Sequence, residues 1–374
     1  MIKLDIKIYD KIKDDYFNEI IKEIKNNYIS SNNCYFKNVC ISDFFEDSKG
    51  FNENKIKKII FMDFVDINNN DSLLTNYLKT GLLIRYSDFK IDNALKNLNQ
   101  PITQTNRYTY RQNYIRIYFN DWINDYLVKY PDYFKNDNEF KKLINAINQE
   151  YDKLNQEFIK IIKYDYLSSS LRHKLITSSG ITVCPYCNRQ YISYFSNKGV
   201  KYTTADLDHF YPKSIFSLFA LSLYNFIPAC QICNQRFKKK KVKKILYPFK
   251  EGFDNNAKFG LNIHDVNSFY GKSDNFDLML EVDDNSLIKE EIINNNEMFH
   301  LDSLYQHHKP YVQELLMKKN LIYTNSYFDM ISKTFKKLNL SKEQLDIFLY
   351  GYSFDDDINK DKILSKLTKD ILDK

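Results

Sequence analysis

The chain has 374 residues, 43% of them hydrophobic, and a formal net charge of +6. That length and apolar content suit two or three domains with real cores, and the charge is too mild for the whole surface to act as a polyanion binder. No apolar run reaches the roughly 18 residues a membrane span needs, and Met1-Ile-Lys-Leu-Asp lacks an apolar leader core, so a soluble cytoplasmic protein is expected.

In that compartment cysteines stay reduced, and Cys34 and Cys40 read as ordinary core or surface thiols. Of the 54 basic residues only Arg85, Arg107, Arg111, Arg116, Arg172, Arg189 and Arg236 are arginine. Lysine is a poor bidentate reader of guanine edges, so extensive base readout is not expected. In the N-terminal third, Phe17, Ile20, Ile21 and Ile24 form one helical stripe over residues 13 to 28. Lys57 to Ile67 fits a buried strand and a helix equally, and Leu73 to Tyr86 reads as a helix. Tyr108 to Tyr130, with Trp122, is crowded with aromatics; these suit a core better than base stacking by rings beside Arg107, Arg111 and Arg116. Phe140, Ile144, Ile147, Tyr151, Leu154, Phe158 and Ile161 alternate steps of three and four. That is a heptad seam for another helix of the same domain or for a partner chain. Ser168 to Ser170 breaks the pattern, and Leu171 to Gly180 leads as a short helix into the next unit.

Residues 184 to 238 hold the densest chemistry: Cys184-Pro-Tyr-Cys187, Asp206-Leu-Asp208-His209, then Asn225-Phe-Ile-Pro-Ala-Cys230-Gln-Ile-Cys233-Asn234. Two residues between cysteines let both thiolates of a turn reach one tetrahedral Zn²⁺, and two such turns complete four-coordination. The gap from Cys187 to Cys230 is longer than in a simple zinc ribbon, so an insert is expected, and it carries Asp208-His209. Arg189 to Phe195 reads as a strand, Ser196 to Gly199 as a turn and Val200 to His209 as the returning strand. Phe226-Ile-Pro228 is a short extended piece that Pro228 should stop, and Cys233 onward is helical. Taken singly, Asp208 reads as a surface acid, His209 as a companion to the zinc, and Asn225 and Asn234 as turn or cap residues.

Together, strand, strand and helix with metal at the join resemble the HNH nucleases, the ββα-metal or treble-clef-like class. In that family an Asp-His pair closes a strand, an Asn lies in the loop, and an Asn or His sits on the helix. Asp208-His209, Asn225 and Asn234 occur here in that order, with Asn in the last place. The resemblance implies a phosphodiester hydrolase in which Asp208 and Asn234 bind a catalytic Mg²⁺ or Mn²⁺, hard ligands for a hard cation. His209 is the general base and Asn225 orients the histidine and its loop, while Cys184, Cys187, Cys230 and Cys233 hold a structural Zn²⁺. Asp206 shares a strand face with Asp208 and suits metal support or plain solvation alike. The resemblance favours DNA as substrate, with RNA including tRNA as the alternative. It also points to bacterial anti-phage or restriction systems that work beside an ATPase partner. The rival class is a non-catalytic zinc module that binds nucleic acid or protein.

Lys238 to Lys241, Lys243 and Lys244 are expected to extend the helix bearing Asn234, with Lys238, Lys239, Lys240 and Lys243 contacting phosphates. Many HNH proteins place a lysine three residues after the helix Asn; here that position is Phe237 and Lys238 comes one step late. Beyond Gly252, Lys258 to Ile263 and Phe276 to Val282 alternate like a β-pair. Helices are expected over Asp302 to Tyr323 and Ser326 to Leu338, and from Ser341, where Ser341-Lys-Glu-Gln344 is a capping box stapled by Leu340 and Leu345. A last amphipathic helix carries Ile363, Leu364, Leu367, Ile371 and Leu372. The expected architecture is therefore α+β and mainly α-helical. A helical region 1–168 precedes a zinc-bound nuclease unit 169–252, and a β-hairpin with helices follows over 253–374.

Overall fold

A computed structural model of the chain describes residues 1–373 except 68–69, 88–90, 240, 242, 323–325, 328–329, 332, 334–340 and 354–360. The protein is mainly helical, and each sheet among the described residues has two strands. Helix Lys13–Asn27 buries Ile20, Ile21 and Ile24 of the expected stripe, with Tyr16 buried beside them and Phe17 only partly covered. Of the open segment 57–67, Lys57 to Ile60 close a helix, Glu53–Ile60, which the Asn52 side chain starts by capping the backbone N–H groups of Asn54 and Lys55, and Phe61 to Asp66 leave it as turns and bends. The heptad seam lies on helix Asp137–Ile161 and packs on helix Ser72–Tyr86 of the same chain. There Tyr77 stacks on Tyr151 at 5.1 Å and meets Phe158 edge-on at 5.5 Å. The approach is close enough that a Cβ on Gly81 would run into Tyr151 and Phe216, so only glycine fits.

The aromatic stretch after Tyr108 is core, with Tyr114, Tyr118 and Trp122 buried. Arg107 pairs with Asp92 and Arg111 with Asp137, so both guanidinium groups serve the fold. Cys34 and Cys40 depart from expectation, since they form a disulfide across a minimal strand pair. Phe36 and Lys37 at φ 43° and 72° turn the chain back on itself, and that turn places the two cysteines directly opposite.

Beyond the centre, strand Ala257–Ile263 pairs antiparallel with Phe276–Val282 as expected. The helix expected over 302–323 is broken into Leu301–Tyr305, Lys309–Met317 and short turns, after an unanticipated helix Lys289–Phe299. The Ser341 and Gln344 capping box opens helix Lys342–Tyr350, whereas Leu340 and most of 326–338 lie outside the described residues. The last helix, Ser365–Asp373, is held from a distance. Asn188 Oδ1 accepts the Lys366 backbone N–H at 3.1 Å, and the Asn188 carbonyl accepts that of Leu364 at 2.6 Å.

One cluster of buried apolar side chains extends from Met1 to Leu372 across residues 168 and 252, and Ile331, Leu345 and Leu349 form a second, smaller one. Hydroxyls from the N-terminal helices pin the central unit: Tyr9 donates to the Phe226 carbonyl at 3.0 Å and Tyr16 to that of Leu221 at 2.8 Å. Asn155 donates to the Ile215 carbonyl at 2.9 Å, and Ser222 donates to that of Ile59 at 2.6 Å. Among the described residues no helix is long and apolar enough to cross a membrane.

Candidate functional site

Cys184, Cys187, Cys230 and Cys233 are buried, and their sulfurs lie within 4.8 Å of one another. A tetrahedral ZnS₄ group has S–S edges of about 3.8 Å, given Zn–S bonds of about 2.3 Å. The cluster can therefore hold a metal such as zinc. Backbone N–H groups point at two of the sulfurs, Arg189 at Cys187 and Cys233 at Cys230. Four thiols this close resist ionising together. Burial pushes the Cys184 thiol up and the neighbouring sulfurs push Cys233 up, while hydrogen bonds from Cys184 pull Cys187 and Cys230 down. A divalent cation supplies the charge that lets all four be thiolates.

The strands between the cysteine pairs differ from expectation, the first starting at Tyr194 and not at Arg189. Tyr194–Asn197 and Val200–Thr203 form a short hairpin, closed by Lys198 and Gly199 at φ 49° and 79° as a two-residue turn with both residues left-handed. The return does not run on to His209. The Thr203 and Thr204 hydroxyls accept the N–H groups of Ala205 and Ser193, which ends the ladder. Strand Ala205–His209 then pairs with Phe226–Cys230. Pro228 sits inside that second strand and does not stop it. Phe210 donates to the Asn225 carbonyl, so by antiparallel alternation the Leu207/Pro228 pair is one that exchanges no hydrogen bonds. The missing proline N–H therefore costs nothing there.

This strand pair sets Asp208 and His209 back to back. His209 is half-buried, with its ring edge-on to Tyr164 and Phe226 at 4.9 and 5.0 Å. Its Nε2 lies 2.9 Å from the Ala220 carbonyl. A carbonyl only accepts, so the proton sits on Nε2 and Nδ1 keeps its lone pair. Burial pulls the imidazole down to about 4, which leaves it neutral at physiological pH. Asn225, fully buried, does not touch the ring. Its Oδ1 accepts from the Tyr211 N–H at 2.8 Å, and its Nδ2 donates to the Tyr211 and Phe219 carbonyls, each at 3.0 Å. It holds the loop whose Ala220 carbonyl in turn holds the histidine.

Asp208 is 3% exposed and both its oxygens are engaged. Lys238 Nζ lies 3.0 Å from one oxygen and 2.9 Å from the other, and the Tyr186 hydroxyl donates at 2.6 Å. Burial and the adjacent carboxylate push the Tyr186 hydroxyl up, so it stays a donor. Asn234 turns its Nδ2 to Asp206, which accepts it at 3.0 Å and Gln235 at 2.8 Å. Asp206 is therefore neither plainly solvated nor beside Asp208's oxygens; it anchors the helix. In this arrangement Asp208 and Asn234 do not fit as a shared seat for Mg²⁺ or Mn²⁺, because protein donors already take the Asp208 oxygens.

The lysine expectations change most. The segment after the second cysteine pair is a π-helix, Ile232–Lys238, and the Lys239 N–H reaches back to the Asn234 carbonyl at 2.8 Å. Lys239 at φ 50° ends it, so the lysine run does not extend the helix. The widened turn carries Lys238 inward, where it is 2% exposed and donates to the His209 carbonyl at 2.7 Å as well as to Asp208. Lys238 is thus a buried partner and not a phosphate contact. Lys243 pairs with Glu297, and Lys244 with Glu290 and Glu291, acids of the unanticipated helix. Lys240 lies outside the described residues. Of the three that are described, Lys239 is the one that lines the cavity described next.

That cavity, of about 640 Å³, is lined by Asp208, His209 and Asn234 together with Lys163, Lys213 and Lys239. Lys213 Nζ stands 3.8 Å from the centre of the Tyr164 ring and the Arg172 guanidinium 4.6 Å from it. The sequence offered no motif for Tyr164, Arg172 or Lys163. Lys213 is four residues past His209, and Tyr186 lies between the first two cysteines, positions a closer reading could have flagged. Comparison with protein-family models, with curated proteins and with solved structures finds no match to this chain.

The buried pair makes a stability prediction. Lys238→Met leaves the Asp208 charge buried with only Tyr186 beside it, a loss of about 3–5 kcal/mol. Lys238→Met combined with Asp208→Asn should recover most of it in urea denaturation. Equal losses in the single and double variants would show that Lys238 acts through packing and not charge.

Proposed function

We propose that the chain is a phosphodiester hydrolase of the HNH kind, acting on DNA, with its reacting centre in the His209 cavity. The observation that carries the reading is the state of His209. It is a neutral imidazole with its Nε2 proton committed to the Ala220 carbonyl, in a cavity that also presents Lys163, Lys213 and Lys239. An acceptor nitrogen beside several ammonium groups is what in-line attack of water on a phosphodiester requires. The lysines neutralise the phosphate. Nδ1 takes one proton of the attacking water as its oxygen bonds to phosphorus, the leaving sugar oxygen departs with the electron pair of its broken bond and takes a proton from solvent, and the imidazolium returns its proton to solvent. The negative charge of the phosphate raises the imidazole from its buried value toward one at which it can accept that proton. Zinc on the four cysteines supplies charge and cross-linking to the frame and takes no part in the reaction.

The non-catalytic reading draws on a different observation, the sealed Asp208–Lys238–Tyr186 group, which needs no reaction to account for it. Incubating the purified, zinc-loaded protein with plasmid, single-stranded DNA and tRNA, each with Mg²⁺, Mn²⁺ or chelator, separates the two. Cleavage of DNA is expected. Cleavage confined to tRNA moves the substrate to RNA, and intact nucleic acid in every arm removes the hydrolase reading. The metal arms also show whether a divalent ion displaces Lys238 from Asp208.

A further inference from the structure

From Tyr166 to Ala205 the chain carries Arg172, Lys174, Arg189, Lys198 and Lys201 and no Asp or Glu. This stretch comprises helix Ser169–Ser179, the first cysteine pair and the Tyr194–Thr203 hairpin. The hairpin is unusual in what it leaves in solvent. Phe195 is 53% exposed, Tyr202 43% and Val200 53%, although all three are large and apolar. The register pairs Phe195 with Tyr202 and Asn197 with Val200, so alternation puts these residues on one face. On that face the Phe195 and Tyr202 rings are nearly parallel, 5.1 Å apart with 15° between their planes. The other face carries Tyr194, Ser196, Lys201 and Thr203, with Tyr194 near His173 of the preceding helix.

We propose that the Phe195–Tyr202 face is a stacking platform for unpaired bases of a nucleic-acid strand. The strand's phosphates run past Lys198 at the hairpin's turn toward the His209 cavity and its lysines Lys163, Lys213 and Lys239. Three features favour a nucleic acid over a protein as the occupant. The hairpin's own charges, Lys198 and Lys201, are both positive, which suits a polyanion, while the acids near this stretch are engaged elsewhere, Glu19 with Lys174 and Asp361 with the Thr182 hydroxyl. The exposed rings are paired and flat, and any base can stack on them whatever its identity. The hairpin also leads after one residue into the strand that ends in Asp208-His209. Six residues separate Tyr202 from Asp208, no more than about 20 Å of extended chain, so one strand can lie on the platform and reach the cavity. The inference rests on the phosphodiesterase reading for that continuity, and it deepens it: the substrate is single-stranded or locally unpaired where it meets the hairpin.

The test measures binding separately from cleavage. In a His209→Ala background, fluorescence anisotropy follows a labelled single-stranded DNA oligonucleotide and a blunt duplex of the same sequence at one salt concentration. Phe195→Ala with Tyr202→Ala should weaken single-strand binding about 10- to 100-fold, the loss expected for removed base–aromatic stacks. Duplex binding should change by less than about threefold, since phosphate contacts remain. Tyr202→Phe keeps the ring and should bind as the parent does. Unchanged single-strand affinity in the double alanine variant, at full zinc content, overturns the platform. So does a wild-type dimer in sedimentation that the double variant lacks, with oligonucleotide binding unaltered, which assigns the face to a second copy. If the wild type cleaves while the double variant binds normally, only the platform fails. If nothing is cleaved but the double variant loses single strands, only the hydrolase reading fails.

Discussion

Replacing Cys187 or Cys230 by serine is expected to unfold the central unit and strip the protein of zinc. Structural zinc contributes on the order of 10–16 kcal/mol of apparent binding energy that is also folding energy. A typical domain has only about 5–15 kcal/mol of net stability to lose. The damage should spread past the metal, because the Cys187 carbonyl accepts from the Tyr305 hydroxyl at 2.8 Å. The next residue, Asn188, holds the start of the last helix. Thermal melting should show the C-terminal helices lost together with the centre, and elemental analysis should find one tightly held zinc per wild-type chain. A metal-free wild type that melts normally would refute the site.

His209→Ala is expected to lower the rate of phosphodiester cleavage by about 10²- to 10⁴-fold, the usual loss on removing a general base. Zinc content and nucleic-acid affinity should stay close to wild type, and the melting temperature should fall only modestly, because the half-buried ring makes one direct hydrogen bond, to the buried Ala220 carbonyl, and edge contacts to Tyr164 and Phe226. Asn225→Ala makes the informative comparison. It removes three hydrogen bonds that hold the 211–219 loop, so it should lose activity together with stability. Cleavage at the wild-type rate in folded His209→Ala would place the reacting centre elsewhere.

The sequence made the metal cluster legible because ligand spacing is local: two residues between cysteines dictate a turn whatever surrounds it. Asp208, His209 and Asn225 were legible as a group, but their partners were not, since those arrive from distant segments. Tyr186 and Tyr164 reach the site only through tertiary packing, and no periodicity announces them, whereas Lys213 follows His209 by four residues. Lys238 was misplaced for a specific reason. Residue spacing was read at α-helical pitch, whereas Ile232–Lys238 is a π-turn, and one extra residue per turn swings a surface lysine into the interior. Pro228 misled because its effect depends on which side of the strand its nitrogen faces, a matter of register that composition does not carry. The Cys34–Cys40 pairing depended likewise on two left-handed residues between them that are not glycine.

The hydroxyls of Tyr9 and Tyr16 bond to carbonyls 217 and 205 residues further along the chain. During synthesis at about 5–20 residues per second, the first helix therefore waits roughly 10 to 40 s for the segment it must clasp. Over that interval the two hydroxyls lack their final acceptors, although the first helix already packs on Glu53–Ile60. Slower translation lengthens the wait, so production of this protein should gain more from a holding chaperone than from slowed synthesis.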